Sequence, residues 1–215
     1  MRRRIDFALK RTIDLTAAAL LSLILIPVFA VIAAAICLDS PGSPLFVQER
    51  IGRRGKKFRM LKFRTMVRDA ERIGSGFYVS ESDPRITRAG RLLRRFSLDE
   101  IPQVFHVLIG QMSFVGPRPG LPYQLEHYTP RQARRLSVRP GITGWSQVNG
   151  RNELSWPDRL ENDVWYVEHF SLRLDARILL RTPAVWLSGR GLYAARDRFF
   201  FSKKDDIPVP SRRES

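Results

Sequence analysis

A single long uncharged segment, residues 15–38, constrains this chain more than any other feature. A helix of about 24 residues rises roughly 36 Å, enough to cross a hydrocarbon core of ~30 Å. Strongly basic sequence bounds it on both sides, with arginines at 2–4 upstream and a cluster of arginines and lysines at 50–64 downstream. Lys and Arg near a membrane segment favour the cytoplasmic side. This charge pattern favours a hairpin that enters and leaves the membrane on one face, because a single crossing would carry one basic flank through the bilayer.

Pro27 lies close to the middle of the uncharged segment. It has no N–H to bond the carbonyl of Leu23, and its ring clashes with that carbonyl, so a kink or break is expected. In lipid the freed carbonyl needs a partner, and Ser22 is a nearby candidate donor. We therefore predict a re-entrant helix–break–helix over residues 1–38, with Pro27 as the membrane break. An ordinary kinked span and an uncleaved signal sequence are the alternatives.

Composition limits what the rest of the chain can be. At 215 residues it fits one modest domain beside the membrane segment, and the single cysteine, Cys37, excludes an intrachain disulfide. The net charge of +16 predicts anionic partners, namely acidic lipid headgroups, phosphorylated substrates or nucleic acid. No second apolar segment is long enough to span a membrane, which excludes multi-helix transporters. We predict a cytoplasmic domain over residues 39–205 and a disordered tail over 206–215.

The predicted fold class is α+β and predominantly helical, a monotopic membrane protein with a small cytoplasmic domain. Residues 45–48 and 58–63 flank a glycine-rich turn and predict a β-hairpin. Apolar spacing predicts short helices at 65–73, 88–95 and 102–108, and glycine and proline predict loops at 112–122 and 139–152.

Two C-terminal segments are candidates for contact with lipid. Helical spacing returns near Leu160, and residues 172–187 combine an apolar stripe with three arginines. Such a basic amphipathic helix fits the membrane interface, and it fits a core-facing helix equally well. The run Phe199–Phe200–Phe201 beside Lys203 is suited either to wedging into lipid or to covering the domain.

Adjacent carboxylates at Asp99 and Glu100 are the sharpest chemical signal, and two arginines precede them closely. One interpretation is structural, because Ser97 with Glu100 three residues later matches a helix capping box. Pro102 counts against it, since a residue before proline avoids helical geometry. The other interpretation is phosphoryl transfer: one carboxylate attacks phosphorus, a divalent metal is held against phosphate oxygens, and arginine binds phosphate. Glycoside hydrolysis fits less well, because adjacent residues do not face each other across a sugar.

The sequence lacks the residue patterns of zinc sites and of common nucleotide-binding motifs. His106, His127 and His169 show no metal-ligand spacing, and a Cys/His cluster is absent from the sequence, which argues against zinc. The sequence also contains no phosphate-binding P-loop and no Gly-x-Gly-x-x-Gly after a strand.

Five segments together resemble one known family. They are Lys62-Phe63-Arg64-Thr65-Met66, Ser97-Leu98-Asp99-Glu100-Ile101-Pro102-Gln103, Gly116-Pro117-Arg118-Pro119, Arg139-Pro140-Gly141-Ile142-Thr143-Gly144-Trp145 and Gln147-Val148-Asn149-Gly150-Arg151-Asn152. Their types and order resemble the monotopic bacterial sugar transferases, which are polyprenyl-phosphate phosphoglycosyl transferases that start surface-glycan assembly. The likeness covers roughly residues 10–187.

The resemblance implies an activity and a cellular place. A UDP-sugar would give its sugar-1-phosphate to polyprenyl (undecaprenyl) phosphate with release of UMP, at the cytoplasmic face of the bacterial inner membrane. Membrane lipids would be partners, nucleic acid would not, and a homodimer is compatible with the sequence. Family members often have Ser before the membrane proline, whereas Ile26 precedes Pro27 here.

The resemblance also assigns roles to residues. Asp99 would be the nucleophile that forms a covalent phosphosugar, and Asp99 with Glu100 would hold Mg²⁺. The members of the predicted phosphate-binding set are Arg94, Arg118, Lys62 and Arg64. The members of the predicted nucleotide-sugar loop are Thr143, Gln147, Asn149 and Arg151.

Charge alone permits a different function. A membrane-anchored basic adaptor that binds acidic lipid or nucleic acid would need the net charge but not the Asp99–Glu100 pair. A metal-dependent phosphatase of lipid phosphates is a weaker alternative, and retention of the sugar in the lipid product distinguishes the transferase from it.

Overall fold

The computed structural model describes residues 2–70, 73, 79–189 and 191–193. The predicted tail at 206–215 and the run Phe199–Phe201 lie outside the described residues. Within them, the protein is mostly helical with two small sheets, which confirms the α+β, predominantly helical part of the predicted fold class.

Helix α1 runs from Arg2 to Asp39 and contains Pro27. Its buried residues recur at helical spacing and form one stripe that faces the rest of the protein: Asp14, Ala18, Ser22, Ile32 and Ile36. Large apolar side chains on its other faces are exposed, among them Leu23 at 69% and Val31 at 69%. By length and composition, α1 is the one helix among the described residues that could cross a membrane.

The structure differs from the prediction at Pro27. The chain keeps helical conformation on both sides of the proline, so α1 is not divided into two helices. Ser22 does not fill the proposed role either, because its buried hydroxyl has no hydrogen-bond partner in the described part of the chain. The re-entrant topology remains a prediction.

The predicted β-hairpin is present. Strands β1 (Leu45–Ile51) and β2 (Lys57–Phe63) pair antiparallel, with Leu45 opposite Phe63 and Ile51 opposite Lys57. The helix predicted at 65–73 is wrong: Met66 instead forms an isolated antiparallel bridge with Ile86. This short extended pairing overrides the local helical spacing.

Helices α2 (Arg88–Arg95) and α3 (Gln103–Leu108) are confirmed close to their predicted ends. The two predicted loops contain more structure than expected, since β3 (Ser113–Val115) and β4 (Gly141–Thr143) pair in parallel. Glycine permits this close approach: a Cβ on Gly141 would lie 2.1 Å from the backbone nitrogen of Gly116.

Three helices complete the described fold: α4 (Trp145–Val148), α5 (Trp156–Glu168) and α6 (Leu172–Ser188). Helix α6 buries Leu174 and Ile178, which confirms the core-facing interpretation for that stripe. The same helix leaves Leu180 82% and Leu187 70% exposed, so a second apolar surface remains available on it.

The hydrophobic core includes α1. Ala18 packs with residues of β2, α3 and β4 in one cluster, and Ile32 and Ile36 pack with Phe63 and Leu93 in another. The long N-terminal helix is therefore an integral wall of the domain.

Candidate active site

A sharp turn at Ser97 places the two carboxylates. Ser97 adopts the left-handed conformation, with φ of 55°, between α2 and the 3-10 turn Leu98–Glu100. Its side chain makes no capping hydrogen bond, so the capping-box interpretation of Ser97 and Glu100 is wrong. A non-glycine residue in this conformation costs energy and is concentrated at functional sites.

Glu100 is held between two cations. Its carboxylate lies 3.0 Å from the ammonium nitrogen of Lys62 and accepts two hydrogen bonds from the guanidinium of Arg118. Burial alone would raise the pKa of Glu100, but the charges and hydrogen bonds of Arg118 and Lys62 outweigh burial and lower it. Glu100 is therefore ionised and fixed.

Asp99 is far less constrained. Its carboxylate lies 4.0 Å from the ammonium of Lys62, and it makes no hydrogen bond with any residue that the structure describes. The side chain is 14% exposed. Burial raises its pKa, the charge of Lys62 opposes this rise, and the charge of Glu100 adds to it. Asp99 is thus a partly exposed carboxylate with raised basicity. The charge of its neighbour Glu100 is already balanced by Lys62 and Arg118.

Two more arginines complete the cationic surroundings. Arg94 donates from Nε to the Thr65 hydroxyl at 2.8 Å, and its positive charge is felt by Asp99. Arg151 donates to the Ser97 hydroxyl at 3.3 Å. Burial lowers the pKa of Arg151, and the charge of Arg118 lowers it further. Four cations thus surround two carboxylates.

Close packing of α2 sets the position of Arg94. A Cβ on Gly90 would lie 2.0 Å from the carbonyl oxygen of Thr65, so only glycine lets the helix approach the end of β2 this closely. Thr87 caps the helix by accepting a hydrogen bond from the Gly90 N–H at 3.0 Å.

The structure brings together six of the residues predicted from the sequence: Lys62, Arg94, Asp99, Glu100, Arg118 and Arg151. Arg64 does not join them. Its terminal nitrogens donate to the carbonyls of Ser40 and Pro41 at 2.7 Å each, so it fastens the loop between α1 and β1.

Three predicted loop residues also point elsewhere. The Thr143 hydroxyl lies 2.8 Å from that of Thr182 in α6 and is buried. Gln147 donates to the Ile142 carbonyl at 2.7 Å, and Asn149 donates to the Trp145 carbonyl at 2.9 Å. In this conformation they build the loop, and of the predicted loop set Arg151 bonds Ser97, at the turn that carries the carboxylates.

Sequence reasoning missed a buried support behind Arg118. Arg135 donates to the Arg118 carbonyl at 2.5 Å and to the Asp163 carboxylate at 2.6 Å. Ser146 donates to the other Asp163 oxygen at 2.8 Å. No motif signalled this network, because its members lie on three separate elements and meet only through folding.

Tyr193 is a second missed residue. Its phenol is near enough to Arg94 and Asp99 for their charges to act on it, and burial raises its pKa. Asn152 holds this C-terminal segment by donating to the Leu192 carbonyl at 3.0 Å. Tyr193 thus lies within electrostatic range of Arg94 and Asp99, although it is near the far end of the described chain.

A divalent metal would find few protein ligands here. Within the described ranges no group of three or more His, Cys, Asp or Glu side chains could hold one. Asp99 has free oxygens, whereas those of Glu100 already accept from Lys62 and Arg118. These residues could not enclose Mg²⁺ by themselves. They fit the arrangement that Mg²⁺ often has in phosphoryl transfer, in which one or two carboxylates bind the ion together with substrate phosphate and water.

Comparison with known proteins shows the family to which the chain belongs. Residues 5–189 match the family model described as bacterial sugar transferase. The chain belongs to the bacterial sugar transferase family. Sugar transferase EpsL of Bacillus subtilis (strain 168) is 45% identical over 189 residues, which cover 86% of this chain and 90% of that protein.

Two further sugar transferases have more specific names. Undecaprenyl-phosphate glucose phosphotransferase of Komagataeibacter xylinus is 44% identical over 82% of this chain. UDP-N-acetylgalactosamine-undecaprenyl-phosphate N-acetylgalactosaminephosphotransferase of Aeromonas hydrophila is 38% identical over 85% of this chain. The match spans only 35% and 44% of these two relatives, respectively.

Proposed function

We propose that this protein transfers sugar-1-phosphate from a UDP-sugar to undecaprenyl phosphate through a covalent intermediate on Asp99. The observation that carries the proposal is the contrast between the two adjacent acids. Glu100 is fixed by Lys62 and Arg118, whereas Asp99 has no hydrogen-bond partner among the described residues and is partly exposed. Only Asp99 is therefore free to attack. The names of the relatives from Komagataeibacter and Aeromonas supply the substrate class.

In the first step, a carboxylate oxygen of Asp99 attacks the phosphorus that bears the sugar. The P–O bond between the two phosphates of the UDP-sugar breaks, and UMP leaves with the bonding electron pair. The raised pKa of Asp99, caused by burial and by Glu100, makes the ionised carboxylate a stronger nucleophile.

In the second step, a phosphate oxygen of undecaprenyl phosphate attacks the same phosphorus. The bond from Asp99 to phosphorus breaks, the carboxylate is restored, and the product is an undecaprenyl-diphosphate sugar. Arg94, Arg118 and Arg151 surround Asp99 and would stabilise the negative charge on the phosphate oxygens in both steps.

Mg²⁺ belongs to the same proposal. Asp99, with Glu100 beside it, would hold the ion together with substrate phosphate oxygens. A bound Mg²⁺ would neutralise charge on the diphosphate. The positive charges of Lys62 and the arginines would neutralise part of the same diphosphate charge.

We also propose attachment at the cytoplasmic membrane face through α1. The buried stripe from Asp14 to Ile36 packs on the domain over roughly 33 Å, whereas a lone spanning helix would have lipid on every side. The exposed apolar side chains on the outer faces of α1 suit contact with lipid, and basic residues favour an acidic surface. This arrangement would hold the site near the phosphate of a lipid-borne acceptor.

The test uses the full chain in detergent with undecaprenyl phosphate and a panel of UDP-sugars, with UMP as the readout. We expect UMP release with at least one donor, and a phosphosugar on Asp99 by mass spectrometry when the acceptor is omitted. Asp99→Asn should lower turnover by at least 10³-fold, since the nucleophile is lost. Asp69→Asn is the matched control, because Asp69 is an exposed aspartate that pairs only with Arg68 among the described residues. Glycolipid formation at a normal rate by Asp99→Asn would refute the covalent mechanism.

A further inference from the structure

A second cationic cavity lies apart from the two carboxylates. It has a volume of about 610 Å³ and lies between the first turns of α1, the start of β3 and the segment before β4. None of the residues around Asp99 lines it. Its size is in the range that protein pockets for small ligands usually have. The proposed transferase activity assigns no role to it.

Four arginines line this cavity, and three of them are anchored to a backbone carbonyl. Arg53 donates from Nε to the Ser137 carbonyl at 2.9 Å, and Arg139 donates from Nε to the Gly110 carbonyl at 2.9 Å. Arg11 donates to the Val107 carbonyl at 2.7 Å. The terminal nitrogens of Arg53 and Arg139 have no partner in the described part of the chain. Two guanidiniums are thus held in place with their terminal N–H groups free.

The other charges of the cavity are mostly neutralised. Lys10 pairs with Asp175 at 2.5 Å, and Glu168 pairs with Arg134 at 2.8 Å. Among the described residues, no carboxylate lies within ion-pair distance of the three anchored arginines. Asp14 is the remaining acid of the lining, so two positive charges stay uncompensated.

Like charges are close together in this cavity. Burial lowers the pKa of Arg139, and the charge of Arg11 lowers it further, with Asp14 opposing. Burial lowers the pKa of Arg53 as well, and Arg139 contributes to that shift. Placing three guanidiniums together costs energy, and a bound anion would relieve it.

We propose that Arg11, Arg53 and Arg139 form a second, non-catalytic binding site for a phosphate-bearing ligand. Arginine forks match phosphate oxygens, and the uncompensated positive charge attracts both the singly charged phosphate diester of a lipid headgroup and free phosphate. Phe7 and Val138 add apolar surface to the cavity, and the outer face of the same helix turns exposes Ile5, Leu9 and Ile13. The headgroup of an acidic phospholipid fits this combination, and free phosphate shares its chemistry.

The experiment measures ligand binding to the full chain in neutral detergent. Phosphatidylglycerol, phosphatidylcholine and inorganic phosphate are titrated separately, with the melting temperature and native mass spectrometry as readouts. We expect phosphatidylglycerol to raise the melting temperature and to bind at least tenfold more tightly than phosphatidylcholine. Competition by millimolar inorganic phosphate would assign the site to a free phosphate, and its absence would assign it to the lipid. Both results support a phosphate site.

The double variant Arg53→Gln/Arg139→Gln should weaken this binding by about tenfold, the equivalent of 1.4 kcal/mol. Arg53→Gln alone should weaken it by about threefold, and because the Arg53 side chain is exposed we expect this variant to fold. The control is Arg59→Gln/Arg88→Gln, which removes the same charge from exposed positions outside the cavity. UMP release in neutral detergent should stay within twofold for both double variants.

Equal loss of phosphatidylglycerol binding in the control would show a general charge effect and overturn the proposal. Undiminished binding in the Arg53→Gln/Arg139→Gln variant would overturn it as well. Because UMP release is read separately, failure of this proposal is distinguishable from failure of the transferase activity.

Discussion

Arg118 binds the carboxylate of Glu100 through both of its terminal guanidinium nitrogens. The planar fork of arginine matches a carboxylate in a way that lysine cannot. Lys62 binds the same carboxylate from β2, so one acid joins the hairpin to the segment after β3. This leaves the neighbouring Asp99 among the cations with no hydrogen-bond partner in the described structure and with only the longer, 4.0 Å contact to Lys62.

We predict that Arg118→Lys lowers kcat/KM for the UDP-sugar by about 100-fold. The lysine would keep the charge but lose the paired hydrogen bonds to Glu100. Loss of such bonds at a buried charged group costs about 2–3 kcal/mol. Steady-state UMP release measures the effect. Arg59→Lys, at an exposed position of β2, should leave kcat/KM unchanged. A loss below threefold in Arg118→Lys would mean that the fork is dispensable.

Lys62→Met should move the acid limb of the pH–rate profile to higher pH. The charge of Lys62 lowers the pKa of Asp99 against the effect of burial, so removing it raises that pKa further. Asp99 then stays protonated, and unable to attack, up to a higher pH. The rate of phosphosugar formation on Asp99 at a series of pH values measures this shift. Lys57→Met, an exposed lysine on the same strand, is the control, and an acid limb that stays in place would contradict the electrostatic role.

Gly90→Ala should reduce both stability and activity. Its Cβ would lie 2.0 Å from the Thr65 carbonyl oxygen, so α2 must shift and carry Arg94 away from Asp99. We expect a loss of about 1–3 kcal/mol, typical of overpacking, and a tenfold or greater fall in kcat. Thermal unfolding and UMP release measure the two effects. Leu92→Ala, which is 57% exposed on the same helix, should change neither strongly.

Arg64→Lys should lower stability while leaving KM for the UDP-sugar unchanged. Its two terminal nitrogens fasten the loop after α1 by bonding backbone carbonyls, and one ammonium cannot replace both contacts. The expected loss is about 2 kcal/mol. Melting temperature and KM are measured together. A tenfold rise in KM at an unchanged melting temperature would restore the sequence-based assignment of Arg64 to phosphate binding.

Local patterns were sufficient for part of the fold. The β-hairpin and α2 follow from alternation, glycine turns and helical spacing, all of which act over a few residues. The β3–β4 pair could not be predicted, because each strand has three residues and the partners are 28 positions apart, Ser113 opposite Gly141. The helix prediction at 65–73 was wrong for the same reason, since Met66 in that segment pairs with the distant residue Ile86.

The candidate site divides in a similar way. Motif residues identified Asp99, Glu100 and four of the cations around them. The same reasoning could not separate Lys62 from Arg64, which lie two positions apart but have different partners: Lys62 bonds Glu100, and Arg64 bonds the loop after α1. Nor could it find Asp163 or Tyr193, because their relation to the site exists only in three dimensions.

Because one stripe of α1 packs on the domain, the residues after α1 do not form a complete hydrophobic core without it. Ala18 and Ile36 close two clusters of the core, and their removal would leave Val107 and Phe63 open to water. We therefore expect a truncated protein without α1 to expose this apolar surface and to aggregate. Because α1 supplies one wall of both clusters, the domain can complete its core only by packing on this helix.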